Sequence, residues 1–284
     1  MRRFSLAAVL SSALLFSVFC MPVQAKVDLT DSAQSTEAYV RMRGNTAGED
    51  AVTYWSGSVL AVMPDTKPVL LFGFEGMNVA RFVKLPDGKW RMLSREYAVY
   101  KDPKTGEILK QWQNPYTGEM NTVFDVQNDP VNNTTGGFPM PFRPMGKDVI
   151  LAFDVPLGYP NPIQPDKYPK ESTGAMYVGS EHFGFFAKLK DLDNTRLKSV
   201  PITFSWARQS PWMPWMRMGD TPGLLMFNAW GKKLDGGFDA LPKKFREYIL
   251  ETAPKYRDAP REDVQPNATT WTEYKKQVLE ASKE

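Results

Sequence analysis

Few side chains in this sequence suit metal binding or proton transfer at neutral pH. The 284 residues include one histidine, His182, and one cysteine, Cys20. Because zinc, haem and iron–sulfur sites need several imidazole or thiolate ligands, we expect no metal and no cofactor. A disulfide within the chain is excluded. Acid or base catalysis would therefore depend on His182, on carboxylates or on tyrosines.

His182 is the first candidate catalytic residue. Residues 176–186 predict a strand on which His182 shares one face with Met176, Val178 and Phe186. Glu181 then points to the other face, so any carboxylate that orients the imidazole must come from a neighbouring strand. The structural alternative is a half-buried histidine that makes a single hydrogen bond.

Glu96 is the second candidate, within a predicted strand whose two faces are both mixed. One face carries Arg91, Leu93, Arg95, Tyr97 and Val99, and the other carries Trp90, Met92, Ser94, Glu96, Ala98 and Tyr100. In one interpretation this strand lines a lumen that holds a ligand. In the other it is amphipathic, with its arginines at the surface and their charged groups in water.

Residues 211–220 are unusual in composition, with Trp212, Trp215 and three methionines in one predicted loop. Such polarizable side chains suit apolar, aromatic or cationic ligands. Alternatively, the loop touches lipid or caps the end of the core. Asn114 lies in a predicted turn where its amide either reaches a ligand or bonds its own backbone.

The elements that must position these residues are mainly strands. Alternating apolar and polar residues predict strands over 51–62, 68–75, 77–84, 89–101, 120–126, 149–155, 174–187, 200–207 and 223–231. About nine short strands joined by turns favour a mainly β fold, an antiparallel β-barrel of calycin or lipocalin type or a sandwich, with closure removing the sheet edges. Prolines in residues 136–170 exclude a central strand there, apart from 148–155.

Helices are predicted at the two ends of this domain. Residues 31–43 predict an N-terminal helix capped by Asp31 or Ser32. The C-terminal part, from about residue 241, predicts one helix from Pro242 to Pro254 and another over 270–281. We expect these C-terminal helices to close one end of the barrel or to pack on its outside.

The first 25 residues have the pattern of a secretory signal peptide. Arg2 and Arg3 precede an apolar run over residues 6–19, and small residues end at Ala25. The run is shorter than the roughly 20 residues that span a bilayer, so we expect no retained membrane span. Cleavage near Ala25 would leave residues 26–284 as a single exported domain, periplasmic or secreted. Its net charge falls from +3 to +1, which does not favour nucleic-acid binding.

Several short motifs follow one another along the chain in a definite order. They are Met42-Arg43-Gly44, Phe74-Glu75-Gly76-Met77-Asn78, Leu93-Ser94-Arg95-Glu96, Asp102 to Leu109, Trp112-Gln113-Asn114-Pro115, Asn128 to Asn132 and Trp215 to Asp220. In these motifs the chain resembles the bacterial domain-of-unknown-function 1838 family over about residues 35–255. The resemblance implies a single domain, often exported, and no particular reaction. The polar residues of these motifs are the first candidates for functional residues. They are Arg43, Glu75, Asn78, Arg95, Glu96, Asn114, Asn128 and Arg217.

The leading hypothesis is an exported barrel that binds a small apolar or aromatic molecule in its lumen. The predicted ligand-binding residues are Trp55, Glu75, Asn78, Arg95, Tyr97, Asn114, Trp206, Arg208, Trp212 and Trp215. The alternative is a metal-independent lyase, isomerase or hydratase in which Glu96 or His182 moves a proton. A third hypothesis is a structural or interaction protein of the cell envelope. The sequence leaves the oligomeric state open.

Overall fold

A computed structural model describes residues 26–281 of the chain, so the predicted signal peptide lies outside the described residues. Twelve strands form within this range. They are β1 (Ala51–Val62), β2 (Val69–Lys84), β3 (Trp90–Lys101), β4 (Gln111–Gln113), β5 (Met120–Thr122), β6 (Val126–Asn128), β7 (Asn133–Thr135), β8 (Phe142–Met145), β9 (Asp148–Pro160), β10 (Met176–Lys188), β11 (Thr203–Ser210) and β12 (Leu224–Leu234).

Ten of these strands form one antiparallel sheet. Its order is β6-β3-β2-β1-β12-β11-β10-β9-β8, with β7 also paired to β3, and β4 and β5 form a separate hairpin. The prediction of a mainly β, antiparallel fold is confirmed. A closed barrel is not observed among residues 26–281, because no ladder joins β6 or β7 to β8 at the far edge. The sheet nevertheless curls, since side chains of β3 and β9 line one cavity.

The predicted strands 68–75 and 77–84 form one continuous strand, β2. Gly76, at the predicted break, is paired with Trp55 of β1. The indole lies so close that a Cβ atom on residue 76 would meet it at 2.5 Å. The glycine therefore allows an aromatic ring to lie against the sheet and does not end the strand.

β9 runs five residues beyond the predicted end at residue 155 and contains Pro156 and Pro160. The reason is its position near the sheet edge. β8 pairs with β9 only as far as Leu151, so the later part of β9 bonds to β10 alone. A proline that lacks an N–H group is tolerated where a strand needs hydrogen bonds on one side only.

Alternate residues of the central strands contribute to two separate cores. The larger core lies on the concave face and includes Phe72, Trp215 and Trp271. The smaller core lies on the convex face, where Tyr97 of β3 packs with Phe245. Phe245 belongs to a C-terminal helix, Lys243–Thr252. This helix thus packs on the outside of the sheet, one of the two arrangements expected from the sequence.

Three further α-helices are found among the described residues. They are α1 (Ser32–Arg43), α2 (Leu189–Asp193) and the short α4 (Thr270–Tyr274), and the outer helix Lys243–Thr252 is named α3. Helix α4 continues as a π-helical segment over Lys275–Glu280. Asp31 caps α1 by accepting a hydrogen bond from the backbone N–H of Gln34 at 2.9 Å. Among residues 26–281, no helix has the length and apolar character needed to cross a membrane.

Candidate functional site

A cavity of about 410 Å³ lies on the concave face of the sheet. It is lined by residues of strands β1–β3, of strands β9–β11 and of helix α1. Its aromatic lining consists of Tyr39, Trp55, Phe153, Phe183, Phe185, Phe204 and Trp206. Its polar lining consists of Arg43, Thr53, Asn78, Glu96, Asn132, Asn133, Glu181 and Asn267. Larger hollows exist, such as one of about 730 Å³ beside Lys233, but they are more open to solvent. A concave, mostly apolar cavity with a few polar groups is typical of small-molecule sites.

Three phenylalanines form a continuous aromatic wall on β9 and β10. Phe153 lies directly opposite Phe183 in the strand ladder, and their ring centroids are 5.2 Å apart with planes 28° from parallel. Phe183 and Phe185 are 5.8 Å apart and almost parallel, at 10°. These rings present flat faces and edges against which an aromatic or alicyclic molecule can pack.

Glu96 of β3 and Glu181 of β10 both face the cavity. Glu96 is partly buried and accepts a hydrogen bond from the Asn128 side-chain amide at 3.2 Å. Burial and, after it, repulsion from Glu181 raise the pKa of the Glu96 carboxyl, while Asn128 and the positive charges of Arg208 and Arg43 act in the opposite direction. Glu96 therefore holds a proton more readily than an exposed glutamate does.

Arg208 of β11 lies behind Glu181, beside the cavity. Its guanidinium donates to the Tyr177 hydroxyl at 2.6 Å and forms an ion pair with Glu181 at 3.4 Å. Its Nε atom is buried without a hydrogen-bond partner among the described residues. Arg208 thus holds the Glu181 carboxylate by charge, and contacts the cavity through that residue.

The structure brings together only some of the residues that the sequence predicted as ligand-binding. Trp55, Asn78, Trp206 and the candidate acid Glu96 line the cavity, and Arg208 lies next to it. The remaining residues lie elsewhere: Glu75, Arg95, Tyr97 and His182 are on the convex face, and Asn114, Trp212 and Trp215 are in the core beyond the cavity. The expectation that all of them surround one lumen is therefore not met.

On the convex face, the predicted polar residues bond to other parts of the protein. Glu75 accepts hydrogen bonds from the Tyr54 hydroxyl at 2.7 Å and from Lys101 at 2.9 Å. The Tyr97 hydroxyl donates to Asp125 at 2.8 Å. Arg95 donates to Asp129 at 2.9 Å and to the backbone of the C-terminal segment. These contacts attach the C-terminal segment and neighbouring strands to the sheet.

His182 is exposed on the same convex face. Its Nδ1 atom lies 2.8 Å from Asp154 of the neighbouring strand β9, and its Nε2 atom lies 3.2 Å from the Ser180 hydroxyl. A carboxylate from a neighbouring strand is what the sequence pattern required. The row has the order of a serine nucleophile triad, but the side chains of His182 and Asp154 are 49% and 75% exposed. The backbone of β10 bonds to β9 and β11, so these strands offer no free N–H pair for an oxyanion.

The tryptophan and methionine loop is part of the core. Trp212 and Trp215 are each 1% exposed, and Trp215 packs against Phe72 and Tyr100. Asn114 is fully buried and donates to the Met216 carbonyl oxygen at 2.8 Å. The arrangement is the core cap that was the structural alternative for this loop, and it anchors the turn at Asn114.

Sequence analysis did not assign Arg43, Glu181 or the three phenylalanines to the site. The signal for Glu181 was present, because residues 181, 183 and 185 share the face opposite His182 and the other two are aromatic. The signal for Arg43 was its place in the Met42-Arg43-Gly44 motif. Neither signal showed that this face of β10 would meet helix α1, because that contact joins residues far apart in the chain.

Comparison with known proteins gives a family and no function. A family model described as a protein of unknown function (DUF1838) matches residues 48–278. No curated protein matches the chain. Among solved structures, the complex structure of Pseudomonas aeruginosa MucA/MucB shares 8% identity, covers 84% of this chain and 100% of its own, and has a TM-score of 0.13. The crystal structure of MucB in complex with MucA(peri) shares 8% identity over 82% and 99%, with a TM-score of 0.12. Scores this low carry no argument about fold or function.

Proposed function

The chain belongs to the domain-of-unknown-function 1838 family, and we propose that it binds a small, largely aromatic or apolar molecule in the concave cavity. The observation that carries this proposal is a partly enclosed cavity of about 410 Å³ with seven aromatic side chains in its lining. This volume falls within the roughly 300–1,000 Å³ of typical ligand pockets. Burying about 200 Å² of apolar ligand surface would contribute about 5 kcal/mol before the cost of association.

The polar groups of the cavity would orient this molecule. Glu96 and Glu181, the latter held by Arg208, contribute carboxyl groups to the lining, and Asn78 and Thr53 contribute an amide and a hydroxyl group. A ligand that is apolar over most of its surface and has one or two hydrogen-bonding groups fits such a lining. A purely aliphatic ligand would displace water from the remaining hydrogen-bonding atoms of these groups without replacing the lost hydrogen bonds, at a cost in free energy.

Titration with N-phenyl-1-naphthylamine, a neutral probe that fluoresces in apolar sites, tests the proposal. We expect saturable binding by the wild type and at least tenfold weaker binding by Val155→Trp, because the larger side chain would fill a cavity that Val155 lines. The matched control is Val178→Trp, since Val178 is 66% exposed on the convex face of the adjacent strand. Absence of saturable binding in folded wild-type protein, or equal loss in both variants, would overturn the proposal.

A second candidate function is acid–base catalysis on such a molecule, as in a metal-independent lyase, isomerase or hydratase. The raised pKa of Glu96 favours it, because a shift in this direction brings a carboxyl group closer to the range in which it can exchange a proton with a bound molecule. Among the two predicted catalytic residues, only Glu96 lies in the cavity. Deuterium exchange at carbon in bound aromatic ketones, followed by NMR in D2O, tests this function. We expect exchange to be lost in Glu96→Gln and kept in Glu75→Gln.

We also propose export to the periplasm or the medium, as the N-terminal residues 1–25 suggest. The mass of the mature protein tests this proposal, with residue 26 expected at its N-terminus. The third hypothesis, a structural or interaction protein of the envelope, would be favoured by an exposed tryptophan loop and by the absence of a cavity. Trp212 and Trp215 are buried instead, and a cavity is present.

A further inference from the structure

Arg43, the last residue of α1, lines the cavity with a guanidinium group that has no ionic partner. Among residues 26–281, no hydrogen bond or ion pair to this side chain occurs, and its one specific contact is with the Phe185 ring, whose centroid is 4.9 Å from Cζ. Several other arginines that are at least partly buried have acceptors, among them Arg41, Arg91, Arg95, Arg208 and Arg217. A guanidinium in a cavity without an acceptor is a natural binding group for an anion.

The backbone that carries Arg43 is held firmly in place. Arg41, two residues earlier, donates hydrogen bonds to the backbone carbonyl groups of Asp191, Leu192, Asn194 and Leu197. Lys233 of β12 donates to the carbonyl oxygens of Arg41 and Gly44, at 2.7 and 3.2 Å. Residues two apart on a helix point to nearly opposite sides. With Arg41 fixed in the loop after α2, Arg43 is directed to the cavity.

Neither glutamate that lines the cavity forms an ion pair with Arg43. Glu181 is paired with Arg208, and the Glu96 carboxylate is bonded to Asn128 and lies outside ion-pair distance of Arg43. Burial raises the pKa of Glu96, which favours its neutral form more than in an exposed glutamate. The cavity therefore joins an aromatic wall to one unpaired positive charge at its edge.

We propose that the ligand is an aromatic molecule with an anionic group, which binds Arg43 while the rings pack against Phe153, Phe183 and Phe185. This inference rests on the proposed function, because it names the ligand class of the same cavity. A carboxylate or sulfonate accepts two parallel hydrogen bonds from a guanidinium. The contact between Arg43 and Phe185 would keep the charged group beside the aromatic wall.

Two probes with one ring system test the charge requirement. 1-Anilinonaphthalene-8-sulfonate has the rings of N-phenyl-1-naphthylamine and adds a sulfonate. We expect Arg43→Gln to weaken binding of the anionic probe by about tenfold or more, which corresponds to the loss of one charge-assisted contact. Binding of the neutral probe should stay within about twofold, and Arg43→Lys should restore part of the anion affinity. Arg196→Gln is the matched control, because Arg196 is exposed and its side chain lies outside the cavity lining.

The outcomes separate this inference from the function on which it rests. If both probes bind the wild type and Arg43→Gln weakens both equally or neither, Arg43 does not select an anion and the inference is overturned. If neither probe binds the folded wild type, the proposed function fails as well. Salt dependence gives a second measurement that needs no variant. The affinity for the anionic probe should decrease as ionic strength is raised, while the affinity for the neutral probe should not change. Equal salt dependence would contradict an ionic contact.

Discussion

Two adjacent residues of β3, Tyr97 and Glu96, lie on opposite faces of the sheet and have different surroundings. Tyr97 points to the convex face, where its hydroxyl bonds to Asp125 and its ring packs against residues of the C-terminal segment. Glu96 points to the concave face, where its carboxyl meets one amide and an enclosed space. On the convex side, the Tyr97 hydroxyl also contacts Thr252 of α3, and Arg95 bonds to the segment after α3. On the concave side, several polar groups remain available to a ligand.

The difference shows what each face does for the protein. Buried polar groups that are fully bonded fix the position of the elements that they join. Groups left without partners lower stability and are kept where a ligand completes their hydrogen bonds. We therefore expect substitutions on the convex face to change stability, and substitutions on the concave face to change binding.

The largest effect on stability is expected for Tyr97→Ala. The Tyr97 side chain is fully buried, and its ring centroid lies 5.1 Å from that of Tyr256. Its truncation should lower the free energy of unfolding by about 3–5 kcal/mol, as for other large buried aromatic residues. Urea unfolding measures the loss. Without denaturant, the folded fraction should still bind the neutral probe, and loss of binding at unchanged stability would contradict the division between the faces.

Replacing two glutamates on opposite faces of the sheet by glutamine should change the free energy of unfolding in opposite directions. Glu75→Gln removes the charge that pairs with Lys101 and should lower the free energy of unfolding by about 1–2 kcal/mol, after allowance for solvent near the lysine.

Glu96→Gln should instead stabilise the protein at pH 8. The folded-state pKa of Glu96 is raised, so the wild type is favoured while this group is protonated and loses that stability as pH rises through the folded pKa. The gain should be about 1 kcal/mol at pH 8 and should vanish at pH 4. Urea midpoints at the two pH values measure it, and destabilisation at pH 8 would contradict a ligand-facing role.

Affinity for the anionic probe should fall as pH rises through the pKa of Glu96. Ionised Glu96 adds a negative charge to a cavity that already contains Glu181, with Arg208 and Arg43 as the opposing charges and Asn128 as the hydrogen-bond donor. We expect a decrease of up to about tenfold, which corresponds to roughly 1.4 kcal/mol. The neutral probe and the Glu96→Gln variant should show no such change over the same pH range. A flat profile for the wild type would place the anion away from Glu96.

The smallest effect is expected for His182→Ala. The side chain is about half exposed, and its partner Asp154 is more exposed still, so their ion pair should contribute little. Stability should change by less than about 0.5 kcal/mol, and both probe affinities should be unchanged. A large loss of affinity would show that the convex face takes part in binding.

Much of the fold follows from local patterns in the sequence. The alternation over residues 89–100 correctly separates the residues of β3 into two faces, and Asp31 caps α1 as its position before the helix predicts. The predicted strand over 120–126 was too long, because β5 ends at Thr122 and β6 begins at Val126. Val123 interrupts the alternation in that segment, and the chain departs from the strand at this residue.

The candidate site was less predictable. Trp55, Asn78, Glu96 and Trp206, which were expected around one lumen, line the same cavity. Tyr97 and Arg95 were expected there too, although they alternate with Glu96 and lie on the opposite face. The error arose because both faces of β3 are mixed in composition. Polar residues beneath a covering helix and polar residues beside a cavity look alike in a sequence.

The sequence by itself determined which residues share a face of each strand, where α1 begins and which chemistry is scarce, because these properties depend on residue type and on the local period of the backbone. Only the tertiary structure decided which face would enclose a cavity. That outcome depends on how the sheet curls, on α3 covering the convex side of β3, and on Arg41 and Lys233 holding α1 so that Arg43 meets Phe185. These contacts join residues separated by more than a hundred positions, and no local pattern contains them.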